Sequence, residues 1–178
     1  MLRVGLRGLK LDSVLATSGL STRAFYRHFA DKHDLLRALI SEHYEELAEQ
    51  SRTVLASADD PVEGLRRWVD LLLDVDSDSE RGRQEAAFGQ HWQEVRLAYP
   101  DAVIAAVSGL HTPVMETLQR LVVQGAHHVR PRYDAAAIVL LTLTVVQQRL
   151  IGRPPLTFED ARAIVWPFVA RSLTLHAP

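Results

Sequence analysis

Three features of the 178-residue sequence predict an all-α chain. No stretch alternates apolar and polar residues with period 2 for more than a few positions, so half-buried strands are not expected. Apolar residues instead recur at three- and four-residue spacing along most of the chain. Residues that start and stop helices punctuate these runs: Asp60-Pro61, Tyr99-Pro100-Asp101, Gly125, Gly152 and Thr157-Phe158-Glu159-Asp160. About eight helices are expected, arranged as an N-terminal helix-turn-helix head joined by a long helix to a helical-bundle body.

The first element is a run in which Leu11, Val14 and Leu15 keep helical spacing until Ser18-Gly19-Leu20 breaks it. Gly19 can take the left-handed backbone that a tight helix-to-helix turn requires. Ser21 is a natural N-cap for a second helix from Thr22 to about Phe29. That helix mixes Arg23, Arg27 and His28 with Phe25, Tyr26 and Phe29, so one face is apolar and the other can meet phosphates and base edges. Phe25 and Phe29 are assigned to the core. Arg23, near the helix N-terminus, could pair with O6 and N7 of a guanine, while Tyr26 and Lys32 would anchor register without reading sequence.

Charge supports a nucleic-acid role for this segment. The net charge of −2 is split unevenly: residues 1–40 carry seven Lys/Arg against three Asp/Glu, and the remainder carries thirteen against nineteen. A basic head on an acidic body is a pointer to contact with nucleic acid by the basic part.

From Asp31 the pattern Leu35, Leu36, Leu39, Ile40, His43, Tyr44, Leu47 predicts one long connecting helix to roughly Ala56. Asp60 as cap and Pro61 at the first helical position open the next, with Val62, Leu65, Trp68, Val69, Leu72 and Leu73 as its stripe. Asp74 to Arg83 reads as a polar, acidic loop, and Ala87, Phe88, His91, Trp92 and Val95 mark another helix, ended by Tyr99-Pro100. Val103, Val107, Leu110, Val114, Leu118, Leu121 and Val122 follow, with Pro113 expected to kink or split their helix and Gly125 to stop it. Asp134 is expected to cap the apolar helix Ala135 to Ile151. The final helix carries Ala161, Ile164, Val165, Phe168, Val169 and Leu173 on one side, with a bend at Pro167.

The order from Gly19 through Phe25-Tyr26-Arg27-His28-Phe29 to Lys32 and Leu35-Leu36 resembles the DNA-binding domain of TetR-family transcriptional regulators over about residues 5–47. The Tyr-x-x-Phe-x-x-Lys continuation is its most specific part. The resemblance implies a helix-turn-helix DNA-binding domain over 1–47, with Met1 to Val4 as the last turn of an otherwise missing first helix ending at Gly5. It implies an effector-binding and dimerisation domain over 48–178. It also implies DNA contacts from Lys10, Ser21, Thr22, Arg23, Ala24, Tyr26, Arg27, His28 and Lys32, the Tyr and Lys mainly at phosphates and the early residues at base edges.

For the body, the resemblance implies an effector pocket enclosed by helices that carry Trp68, Phe88, His91, Trp92, His111 and Met115. Aromatic walls with few polar groups suit a small apolar or aromatic ligand, with His91 or His111 to orient it. The helices Ala135 to Ile151 and Phe158 to Leu175 are apolar over more than one face, so a partner subunit is a natural cover. Leu140, Leu143, Gln147, Ile164, Val165, Phe168 and Leu173 are the expected dimer contacts.

Other classes find little support. With no cysteine, disulfide frameworks and cysteine metal sites are excluded. His127 and His128 are adjacent and point to different sides, and His91-x-x-Glu94 lacks the second Glu-x-x-His that a di-iron bundle needs. No phosphate loop, nucleophile elbow or zinc-protease helix is present, so no enzyme activity, metal or cofactor is expected. No signal-peptide pattern opens the chain, and the apolar run Ala135 to Val146 is shorter than the roughly 20 residues of a membrane span. A cytoplasmic protein is expected: a homodimeric, effector-responsive repressor on a palindromic double-stranded operator. The alternative is a ligand-binding and dimerisation module of the same fold that does not bind DNA because its first helix is missing.

Overall fold

In the computed structural model, which describes Leu15 and residues 21–75, 96–152 and 154–174, several helices begin at short polar capping residues. Helix α1 (Thr22–His28) starts at Ser21, whose Oγ accepts from the Ala24 amide at 3.2 Å. Helix α2 (Lys32–Ala56) starts at Asp31, which accepts from the His33 and Asp34 amides at 2.8 and 2.9 Å. The Asp34 amide, ahead of the His33 amide, holds the Asp31 carboxyl below its ordinary range. Helix α3 (Pro61–Leu73) has Asp60 accepting from the Val62 amide at 3.0 Å and Pro61 in its first turn. Each of these starts was legible in the sequence because a short polar side chain precedes the helix and satisfies an otherwise orphaned amide.

Helix α4 (Pro100–Val123) follows Tyr99 and is stopped before Gly125, the one described residue with φ in the left-handed region, at 107°. It continues through Pro113 without splitting. Leu110, Val114 and Leu118, all fully buried, hold it on either side of the missing amide. Helix α5 (Pro131–Ile151) begins a turn earlier than expected. Asp134 is not its cap but lies inside the first turns and reaches back to accept from the Arg130 amide at 2.6 Å. Helix α6 (Phe158–Thr174) opens with a reciprocal pair: Thr157 Oγ1 accepts from the Asp160 amide at 3.1 Å and donates to Asp160 Oδ2 at 2.8 Å. It too runs through its proline, Pro167. Among the described residues there is no strand, and the protein is all-α.

The long helices α2 and α4 lie side by side and run parallel. Their N-terminal ends meet at His33 and Tyr99, and their C-terminal ends at Arg120, whose Nη2 and Nη1 donate to the carbonyls of Leu55 and Ala58 at 2.8 and 3.3 Å. Gly109 permits this closeness, since a Cβ there would stand 3.3 Å from that of Ala48. Helix α3 crosses onto α2, α4, α5 and α6 and supplies the centre of the core, with Leu65, Trp68, Val69 and Leu73 fully buried. A charged chain ties α3 to α6: Arg66 grips Glu63 at 2.6 Å and Asp70 at 3.2 Å, and Arg162 reaches Asp70 at 2.9 Å.

Helix α5 is long and apolar enough to cross a membrane by length and composition, with a mean hydropathy of 1.4. It is instead packed on α3, α4 and α6. Only 28% of its most apolar 18-residue stretch is buried within the subunit, so one of its faces is open. Leu39 on α2 likewise departs from its expected place in the apolar stripe and is half exposed. The expected helix around residues 87–95 and the glycine turn at Gly19 lie outside the described residues.

Candidate nucleic-acid interface

Helix α1 is short, and its two sides differ sharply. Phe25 is buried, with the ring of Phe29 at 5.4 Å and that of Tyr26 edge-on at 5.3 Å. Phe29, assigned to the core, is half-buried, and Leu15 from the preceding segment is buried. On the other side Ser21, Thr22, Arg23, Tyr26, Arg27 and His28 are exposed, and Ala24 is half-buried. Tyr26 keeps 57% of its surface although it sits beside a buried aromatic. Spacing explains most of the division: Phe25 and Phe29 are four residues apart and share a face, which turns Arg23 and Arg27 to the opposite side and Tyr26 to the flank, while Thr22 is exposed at the open first turn.

The exposed face is cationic without internal neutralisation. No acidic residue lies in the first turn of α1, and its last turn carries Arg27 and His28. Arg27 Nε donates to His28 Nε2 at 3.2 Å, which holds the guanidinium against the helix. Among the described residues Arg23 and Lys32 have no acidic partner. Lys32 begins α2 and is half-buried at the corner between the two helices. The corner itself is rigid: the Phe29 amide donates to the Phe25 carbonyl, the Ala30 amide to Asp34 Oδ2 at 3.1 Å, and the Leu35 amide to the Asp31 carbonyl. Lys10 lies outside the described residues.

The pocket candidates are scattered. Phe88, His91 and Trp92 lie outside the described residues. Trp68 belongs to the core, with its indole N–H donating to Ser51 Oγ at 2.9 Å, so it offers neither surface nor donor to a ligand. His111 is half-buried and its Nε2 donates to the Arg132 carbonyl at 3.1 Å, while Met115, four residues on, packs partly buried against the core. A cleft of about 190 Å³ between α2 and α4 is lined by Tyr44, Ala48 and Arg52 on one side and Ala102, Ala106 and Gly109 on the other. None of the pocket candidates lines it, and it falls below the roughly 300 Å³ at which ligand pockets begin. Among the described residues no three His, Asp or Glu side chains gather to hold a metal ion.

The expected dimer contacts divide into two sets. Leu140 on α5 and Ile164 and Phe168 on α6 are exposed, at 58, 47 and 50% of their surface, and Leu143 and Gln147 are half-buried. Val165 and Leu173 are corrected: with Ala161 and Val169 they form the i, i+4 row of α6 that is buried within the subunit, Val165 completely. The sequence put all of them on one side because both rows are apolar. Only packing shows that α6 has an inward row and, next to it, an open one.

A capped, basic, aromatic helix set at the N-terminal end of a long helix that enters an all-helical body defines a small head mounted on a larger scaffold. No protein-family model matches the sequence, and no curated protein matches it. Solved structures do. A TetR-family transcriptional regulator from Rhodococcus sp. superposes with a TM-score of 0.77 at 17% identity, over 94% of this chain and 89% of that one. Escherichia coli NemR in its reduced form gives 0.76 at 18% identity, over 99% and 93% of the two chains. A TetR-family regulator from Syntrophomonas wolfei str. Goettingen gives 0.76 at 15% identity, over 96% and 88%. The chain has the fold of the TetR-family transcriptional regulators.

Two residues of the head-to-body junction escaped the sequence reading. His33 Nδ1 and the Tyr99 hydroxyl share a hydrogen bond, with ring centroids 5.9 Å apart. The available signal was Tyr99 itself, an aromatic residue before Pro100 where a small polar cap is usual.

Proposed function

We propose that this protein is a DNA-binding transcriptional regulator that acts as a homodimer, reads a palindromic operator through α1, and is released by a small apolar or aromatic effector bound in the body. The observation that carries the reading is the two-sidedness of α1: Phe25 buried, Thr22, Arg23, Tyr26 and Arg27 exposed, and Arg23 and Lys32 without an acidic partner among the described residues. In this reading Arg23 contacts a base edge, and Tyr26 and Lys32 hold phosphates. Ser21, Ala24 and His28 complete the proposed contact face, and Lys10 is assigned to DNA contact as well.

The dimer is supported by the open face of α5 and α6, where Leu140, Ile164 and Phe168 lie beside the half-buried Leu143 and Gln147. A two-fold axis through such a face would make it self-complementary and set two heads on one side of a duplex. Effector binding is supported by the half-buried His111 and Met115, four residues apart on α4; Phe88, His91 and Trp92 are assigned to the same site. Repression follows if the ligand-free dimer is the form that fits the operator, and a cytoplasmic location follows from the DNA target. We read no catalytic role.

Selection from a random duplex library on the purified protein tests the proposal. Recovery of two inverted half-sites separated by about one helical turn, 10–10.5 base pairs centre to centre or a multiple of it, is expected. Failure to enrich any duplex would favour the module that shares the fold without binding DNA.

A further inference from the structure

The α1–α2 corner is rigid, and it is attached to the body through the first turn of α2. In that turn the His33 amide is held by Asp31 Oδ1 at 2.8 Å, so its side chain projects from a fixed backbone. Its partner is equally fixed. Tyr99 is 7% exposed, its carbonyl accepts from the Val103 amide at 3.1 Å, and Pro100 locks the backbone that follows. Tyr99 stands at the N-cap of α4 but makes no side-chain cap bond there; its hydroxyl is directed across to His33 instead.

We propose that the His33–Tyr99 pair is a positioning device that holds the reading head at one angle to the body. The proposal deepens the function proposed above by naming a contact through which body and head are coupled. Ile40 and Tyr44 on α2 and Val103 and Ala106 on α4 belong to the same core close by, and apolar packing of this kind resists sliding and rotation less than a directional hydrogen bond does. Four residues separate His33 from the end of α1, and the cap bonds of the corner tie them together. A small tilt of α2 at His33 is therefore carried to α1 undiminished. In a dimer the tilt changes the separation of two reading helices, so the pair sets how sharply the protein discriminates half-site spacing.

The chain has no cysteine, so two introduced cysteines give a single intramolecular spin-label pair. Thr22→Cys on α1 and Gln119→Cys on α4, with labelled chains diluted in unlabelled protein, report the head-to-body distance without DNA. A narrow distribution is expected, broadened about twofold by Tyr99→Phe and equally by His33→Ala, with the double variant no broader than either, as for two partners in one interaction. An unchanged width in both variants, or additive broadening, overturns the proposal. On the selected duplex, inserting or removing one base pair between half-sites should cost the unsubstituted protein about tenfold in affinity, and each variant less than about threefold. Binding to a single half-site should be unchanged; a loss there would make the pair part of the contact itself and overturn the positioning role. A broadened distance distribution in a protein that selects no duplex would keep the tether and remove the DNA-binding reading.

Discussion

The indole Nε1 of Trp68 donates to Ser51 Oγ at 2.9 Å, and Ser51 Oγ donates in turn to the Leu47 carbonyl at 2.8 Å. Both residues are fully buried, so this relay pins α3 to α2 through the only polar groups that either side chain has. Ser51→Ala leaves the indole N–H without a partner in the core. A loss of about 1–3 kcal/mol is expected in denaturant unfolding. A change below about 0.5 kcal/mol, the range of ordinary surface substitutions, would mean that the donor finds another acceptor.

Arg120 closes the far end of the α2–α4 pair by donating to the carbonyls of Leu55 and Ala58, groups that the end of α2 leaves unsatisfied. Arg120→Ala should cost about 3 kcal/mol in thermal unfolding, because a bond from a charged donor contributes roughly 1.5–3 kcal/mol and this half-buried side chain, with one bond as long as 3.3 Å, lies at the weak end for both. Arg120→Lys should recover only part, since an ammonium cannot span two carbonyls as a planar fork does. Equal stability of the two variants would contradict this account.

The two apolar rows of α6 should respond oppositely to charge. Phe168→Glu on the open row is expected to give a folded monomer by sedimentation, whereas Val165→Glu, buried within the subunit, is expected to unfold the body through an unpaired buried charge. A native dimer with Phe168→Glu would place the interface elsewhere.

Glu63 accepts from Arg66 and Arg67, and these hydrogen bonds, Arg66 first, hold its carboxyl down to about 2 from an ordinary 4.5. A depressed acid contributes stability that is present above its unfolded value and lost as pH falls through its folded one. Stability carried by this site should therefore decline between about pH 4.5 and pH 2. Glu63→Gln should flatten the melting-temperature profile in that window and leave it unchanged at pH 7 apart from a constant offset. An unaltered profile would show the pairing to be absent in solution.

Helix starts were legible at Ser21, Asp31, Asp60 and Thr157 because capping is a local bond between a residue and an amide two or three positions on. The start of α5 was misplaced for a related reason. Asp134 looks like a cap, but its carboxylate can equally reach back to Arg130, and the choice depends on where Pro131 lies. The exposed basic face of α1 was legible from periodicity, as Phe25 and Phe29 define the inward side. What was not legible is relational. Which apolar row of α6 faces inward, that Trp68 spends its donor on Ser51, and that Tyr99 meets His33 depend on contacts between residues far apart in sequence.

The central claim is that α1 reads DNA, and the salt dependence of binding to the selected duplex tests it most directly in the unsubstituted protein, Lys32→Ala and Arg23→Ala. Lys32→Ala should weaken binding to all sequences alike and reduce the slope of log affinity against log salt by about 1, the signature of one lost phosphate contact. Arg23→Ala should cost about 1–3 kcal/mol and relax the preference at one base pair of each half-site. If both variants bind with the affinity, salt slope and base preference of the unsubstituted protein, α1 is not the reading helix.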